Sequence, residues 1–245
     1  MFFFDPLYFL IIAPAVLLAF YAQWKVRSTY RRYSQVSAAS GLTARQAAQR
    51  ILACLPQSVA VDEPNPAKGT QLQAVTIEQI GGRLSDHYDP HHKVLRLSNP
   101  DSRSLADIGV AAHEAGHAFQ DANHYQPLIL RSALVPVANF GSQLALPLLL
   151  IGFFIRPLFE PLLLVAILAF SLTVLFALVT LPVEFNASRR AMVLLRQSGT
   201  VTSGQELAAV GQVLNAAALT YVAAAASAIL NLAYYVLIFL GGRRN

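Results

Sequence analysis

The stretch LADIGVAAHEAGHAFQDA, Leu105–Ala122, decides how the rest of this 245-residue chain is read. Its apolar residues Leu105, Ile108 and Ala112 recur at intervals of three and four, which puts a packed stripe on one face of an α-helix. A helix is therefore predicted over Ser104–His124. It carries His113-Glu114-Ala115-Gly116-His117. Side chains four apart on a helix face the same way, so both imidazoles can reach one ion. Zinc takes nitrogen and carboxylate ligands in a tetrahedron, and a hydrolytic site leaves one position to water. Glu114, next to the first histidine, stands where it can take the proton as that water attacks a carbonyl. The flanks VAA and AGHAF are small and apolar, a packed setting that two solvated surface histidines would not require.

Outward from this helix the chain turns apolar. Hydrophobic residues make up 55% of it and charged residues only 13%. The charged share is roughly half that of a soluble globular protein, so something other than water must cover part of the surface. The segment Phe2–Trp24 holds a single charge, Asp5, and is long enough to span a bilayer. Lys25, Arg27, Arg31 and Arg32 follow it, and it lacks a basic leader and a clear cleavage site, the pattern of an uncleaved anchor. Two further runs, Leu134–Ile155 and Pro161–Val183, are parted only by Arg156–Glu160 and read as an antiparallel hairpin. A fourth run, Leu219–Leu240, opens on YVAAAASA, which suits close helix packing. The terminal Arg243–Arg244 pair counts against its crossing, so three or four spans are expected.

Eight basic residues (25, 27, 31, 32, 131, 189, 190 and 196) border the spans on the side of the histidine motif, against Arg156, Arg243 and Arg244 opposite. Both polar regions are accordingly expected on the cytoplasmic side. This placement accounts for the +5 formal charge and leaves no call for a nucleic-acid partner. The single cysteine, Cys54, excludes an internal disulfide and a multi-cysteine zinc site.

Topology also narrows the third ligand. A three-histidine site would need Gly at position 120 and His at position 123. The chain has Gln120 and Asn123, which excludes His124. Glu160 falls in the hairpin turn, about 30 Å across the membrane. Asp121 lies on the motif helix itself. Glu206, within TSGQE, has a natural capping role at a helix start. Glu184 emerges from the second hairpin helix on the side of the motif and is selected, against the alternative of an interfacial ion pair with Arg189 or Arg190. Ser188, one turn on, shares its face and is expected to orient a ligand, with Asn186 less well placed.

In the first polar region, Thr43–Leu55 reads as a helix capped by Thr43, and Leu72–Ile80, Leu84–Tyr88 and Lys93–Ser98 as short strands. Gly81–Gly82 and Asp89–His92 are the expected turns, with His87, His91 and His92 solvated there. The Lys93–Ser98 strand is a candidate edge for pairing with a substrate peptide. Tyr221, Arg189 and His87 are candidate oxyanion stabilisers.

Five blocks, LSDHYDPHHKVLRLS (84–98), GVAAHEAGHAFQ (109–120), LRSALVPVANFGS (130–142), LVTLPVEFNASRRA (178–191) and VLNAAALTYVAAA (213–225), resemble the YugP-type membrane-bound neutral zinc metallopeptidases of bacteria. The resemblance covers nearly the whole chain and is least distinctive in the first anchor and the tail. It implies a zinc-dependent membrane peptidase with ligands His113 and His117 and catalytic Glu114. By analogy with HtpX-type membrane peptidases, it implies Glu184 as third ligand. Ser188 stands where the wider group commonly carries an acidic residue, and Asn186 where many relatives carry Asp.

The expected fold is an α-helical membrane protein with a small antiparallel β-sheet and three or four transmembrane helices. The expected regions are an anchor at 1–24, a cytoplasmic metallopeptidase region at 25–132 and a membrane hairpin at 133–183. A cytoplasmic helix region with the third ligand follows at 184–216, and an apolar transmembrane helix at 217–245. The function expected is zinc-dependent endopeptidase cleavage, at the bacterial plasma membrane, of peptides or proteins, membrane proteins among them. A membrane-protein partner and an oligomer stay open. A non-catalytic scaffold with a structural metal is the alternative, but such a site closes its fourth position with protein and no strong fourth ligand is present. A transporter would need ionisable groups in mid-membrane, of which the spans carry few.

Overall fold

The structure, a computed structural model, describes residues 6–53, 75–82 and 84–242. Cys54, the Arg243–Arg244 pair, the first four residues of the expected anchor and the beginning of the expected Leu72–Ile80 strand lie outside them. The elements run α1 (Pro6–Tyr33), α2 (Ala44–Ala53), β1 (Thr76–Gln79), β2 (His87–Asp89), β3 (Val94–Leu97), α3 (Leu105–Ala122), α4 (Gln126–Phe154), α5 (Phe159–Gln197) and α6 (Gly204–Gly242).

Four helices, α1, α4, α5 and α6, are each long and apolar enough to cross a membrane. Their most apolar windows bury no more than 22% of their residues, so Leu10, Phe20, Phe140, Phe154 and Leu168 project outward. Water would penalise such a surface, and a bilayer of about 30 Å accommodates it. The C-terminal run therefore qualifies with the others. Each apolar run proves to be one end of a longer helix: α1 continues to Tyr33, α4 starts eight residues before Leu134, α5 continues to Gln197 and α6 begins at Gly204. Hydropathy marks where lipid is required, whereas the hydrogen-bond ladder of a helix continues wherever propensity and packing allow.

The chain divides into two compact units. The first comprises 1–23, 129–182 and 219–245. In it α4 and α5 form the expected hairpin through a 3₁₀ turn at Arg156–Leu158. Gly141 lies against the backbone of Ala169, and Thr173 Oγ1 donates to the Ala138 carbonyl at 3.4 Å. Small residues let two membrane helices approach this closely.

The second unit comprises 24–128 and 183–218 and is built around α3. Ser104 caps that helix: its hydroxyl accepts from Asp107 N at 3.1 Å and donates to Asp107 Oδ2 at 2.6 Å. Helix α2 opens on a reciprocal capping box, with Gln46 N bonded to Thr43 Oγ1 and Thr43 N to Gln46 Oε1. Ile51, Leu95, Leu97, Ile108, Phe119, Leu194 and Val210 belong to one core. Helix α3 is buried on nearly all sides rather than along one stripe, because its Ala and Gly residues leave room for neighbours all round.

The sheet is small, as expected, but mixed, with strand order β1-β3-β2. The β2–β3 pair is the antiparallel hairpin that the turn signals predict, with Tyr88 opposite Leu95. Asp89 closes it by accepting from His91 N and His92 N at 3.0 and 3.2 Å. Strand β1 instead pairs in parallel with β3, Thr76 opposite Val94, so β1 and β2, although consecutive and opposed in direction, lie on the two edges of the sheet with β3 between them rather than side by side across a turn at Gly81–Gly82. Leu84, in a left-handed conformation at φ 57°, interrupts the expected second strand, which begins only at His87. The Lys93–Ser98 strand is central, with both edges paired. It offers no free edge to a substrate, contrary to the reading from sequence.

Candidate metal centre

The backbones of α3 and α5 meet at Gly116. A Cβ there would stand 2.6 Å from the Ala187 carbonyl oxygen, so the position between Glu114 and His117 admits no side chain without moving a helix. This crossing brings Glu184, one turn before Ala187, to the histidine face of α3. Glu184 Oε2 lies 3.2 Å from His113 Nε2 and 3.6 Å from His117 Nε2. The three residues form a donor group whose ligand atoms all lie within 4.8 Å of one another. A zinc tetrahedron with bonds of 2.0–2.1 Å has edges of about 3.3 Å; the two spacings from Glu184 lie near that edge, and two imidazoles with a carboxylate are a donor set of the kind zinc takes. Glu184 is 2% exposed and faces the imidazoles.

The second nitrogen of each ring is also engaged. His113 Nδ1 is 3.2 Å from Ser188 Oγ, the orienting contact expected of Ser188. His117 Nδ1 is 2.9 Å from Gln120 Oε1. Burial penalises the charged form of His117, but Glu184 and Glu114 outweigh it and hold its pKa above that of an ordinary imidazole. Glu114 is buried, and its Oε2 accepts a hydrogen bond from Tyr88 N at 2.9 Å. The Tyr88 hydroxyl donates to Asp121 Oδ2 at 2.7 Å; burial and this carboxylate push the phenol pKa up, so it stays protonated.

The other carboxylates have separate partners. Asp121 is engaged by Tyr88 and Lys93, and Glu206 accepts from Ala39 N at 2.7 Å instead of capping its own helix. Glu160 belongs to the first unit, as does Tyr221. His124 is exposed just past the end of α3, with φ 54°. His91 and His92 are exposed as expected, while His87 is half-buried, its Nδ1 2.9 Å from Ser85 O and its Nε2 3.4 Å from Arg96 Nη1. Arg189 is exposed.

Two contributors escaped the sequence reading, Gln120 and the Tyr88 amide, and a third, Asn186, was ranked below Ser188. Asn186 is buried and its Oδ1 accepts from Gln120 Nε2 at 2.9 Å, a better position than its place on the helix suggested. Gln120 stands one turn after His117, a spacing that could have marked it. The Tyr88 amide left no sequence signal, since any residue but proline carries one.

The chain matches the model of a family described as "Putative neutral zinc metallopeptidase" over residues 8–240. It is 44% identical over 237 residues to the "Putative membrane protease YugP" of Bacillus subtilis (strain 168), covering 96% of this chain and 97% of that protein. No solved structure matches. Both matches take in α3 and the Glu184 segment, and the resemblance read from the sequence blocks holds over nearly their full extent: the chain belongs to the neutral zinc metallopeptidase family, as a member with four helices fit to cross a membrane.

Proposed function

We propose that the chain is an endopeptidase that cleaves peptide or protein substrates at a membrane, membrane proteins among them, with His113, His117 and Glu184 as zinc ligands and Glu114 as general base. The observation that carries this reading is the convergence of two imidazole nitrogens on one buried carboxylate, at 3.2 and 3.6 Å, beside a second buried carboxylate. Bound zinc supplies a Lewis acid for the scissile carbonyl and lowers the pKa of a water. Glu114 Oε2 is committed to the Tyr88 amide, which holds the carboxylate in place and leaves Oε1 to take the water's proton and return it to the leaving amine. Burial of Glu114 and Glu184 keeps bulk water from competing for these contacts.

The basic residues flanking the spans support a site facing the cytoplasm, in the inner membrane of a bacterium. The regions are the anchor at 1–24, a metallopeptidase region at 25–132, a membrane hairpin at 133–183, a ligand-bearing region at 184–216 and a membrane helix at 217–245.

The test is cleavage of an unfolded or membrane-associated protein by purified, zinc-loaded wild type beside Glu114→Gln. The variant keeps the metal and loses roughly 10²–10⁴-fold in rate. Equal activity in both preparations, at equal metal content, rejects the mechanism.

A further inference from the structure

We propose that Gln120 is the positioning residue that sets the tautomer of His117, and that Asn186 and Arg190 set the orientation of Gln120. The role presupposes the metal centre proposed above. It follows from a chain of donors and acceptors in which each end is forced. The Val183 carbonyl can only accept, so the Gln120 atom 2.8 Å from it must be the amide nitrogen Nε2. The same nitrogen donates to Asn186 Oδ1 at 2.9 Å. That atom of Asn186 is in turn identified as the oxygen by Arg190 Nε, which can only donate and lies 2.7 Å away. With Nε2 committed twice, Gln120 Oε1 points at His117 Nδ1, 2.9 Å away. An amide oxygen can only accept, so Nδ1 carries the hydrogen and Nε2 presents its lone pair on the side of Glu184.

Burial makes the arrangement rigid. Gln120 is 0%, Arg190 2% and Asn186 6% exposed, so no water stands ready to replace a lost partner. His113 is held differently: Ser188 Oγ can donate or accept, and therefore orients that ring without selecting its tautomer. The two histidines thus differ in how firmly they are prepared for a metal. The partner of His117 is a neutral amide where metal-binding histidines often have a carboxylate. It selects the tautomer without adding negative charge.

The test measures zinc affinity by chelator competition, and the visible spectrum of the cobalt-substituted protein, on the full chain in detergent. Wild type and His117→Ala establish whether the metal centre exists. If they bind zinc equally, the proposed function falls and takes this role with it. If wild type binds and His117→Ala does not, Gln120→Met decides the role, since it keeps the volume and removes the acceptor. An affinity loss of about 10- to 100-fold with an altered cobalt spectrum is expected. Asn186→Leu, which leaves Gln120 in place but removes one of its two acceptors, gives a smaller loss, whereas Asn186→Asp, which preserves the acceptor, binds as wild type does. A folded Gln120→Met, or Asn186→Leu where the former does not fold, that binds zinc with unchanged affinity and spectrum overturns the assignment.

Discussion

Gly116→Ala is the sharpest probe of how this fold spaces its donor atoms. The added Cβ would stand 2.6 Å from Ala187 O and 3.2 and 3.3 Å from Ala187 C and Cα, where ordinary contact begins at 3.4 Å. All three neighbours are backbone, so no side chain can swing aside; α3 and α5 must separate by about 0.8 Å along that line. Glu184 rides on the same turn of α5. A shift of that size lengthens the 3.2 and 3.6 Å spacings of its Oε2 to the two Nε2 atoms by up to about 0.8 Å, away from the roughly 3.3 Å edge that zinc requires. Metal-free Gly116→Ala is expected to unfold with a loss of about 1–3 kcal/mol, and to bind zinc at least about tenfold more weakly. Thermal unfolding of the full chain in detergent and chelator competition read the two effects separately. Gly109→Ala is the internal comparison. Its Cβ would meet Val210 Cγ1 at 2.9 Å, and a valine methyl can move without displacing a helix, so the donor spacing should survive. A Gly116→Ala protein with wild-type unfolding and zinc affinity would refute the claim that this crossing sets the site.

Two further outcomes follow from contacts around the centre. Protons compete with the metal at His117, and its raised pKa carries that competition above the ordinary imidazole value of about 6.5. Zinc affinity should therefore keep rising from about pH 5.5 to beyond pH 7, and a plateau reached below about pH 6.5 would contradict it. Without metal the sign reverses: the same shift stabilises the fold below about pH 6.5, and the gain is lost as pH rises through the raised value. Tyr88→Phe removes the hydroxyl bond to Asp121 and is expected to cost about 1 kcal/mol in unfolding while leaving hydrolysis intact, because Glu114 is held by the Tyr88 amide and not by its ring. A large loss of turnover in this variant would place the phenol in the reaction.

What could be read in the sequence depended on how far apart the partners lie along the chain. His113, Glu114 and His117 share one helical turn, and the capping role of Thr43 is equally local. Glu184 is 71 residues from His113, yet the expected membrane topology made it reachable, because that topology leaves few carboxylates beside the motif. The contact between Gln120 and Asn186 was not reachable, since it exists only through the crossing at Gly116, whose geometry no periodicity reports. The sheet failed for a similar reason. A hairpin such as β2–β3 announces itself through its turn, but the parallel β1–β3 pairing is made by a crossover with no signature of its own. That pairing moved Lys93–Ser98 from a supposed edge to the centre.

The separation of 71 positions from His113 to Glu184 also imposes an order on biosynthesis. The histidines leave the ribosome first, and the carboxylate that completes the donor group follows only after α4 and most of α5 have been made. At about 5–20 residues per second, translation alone separates the two by roughly 4–14 s. During that interval the nascent chain holds two of the three donors of the proposed site. Completion of the donor group is thus tied to synthesis of the hairpin, so a chain cut short before residue 184 carries the motif helix without the means to close its centre.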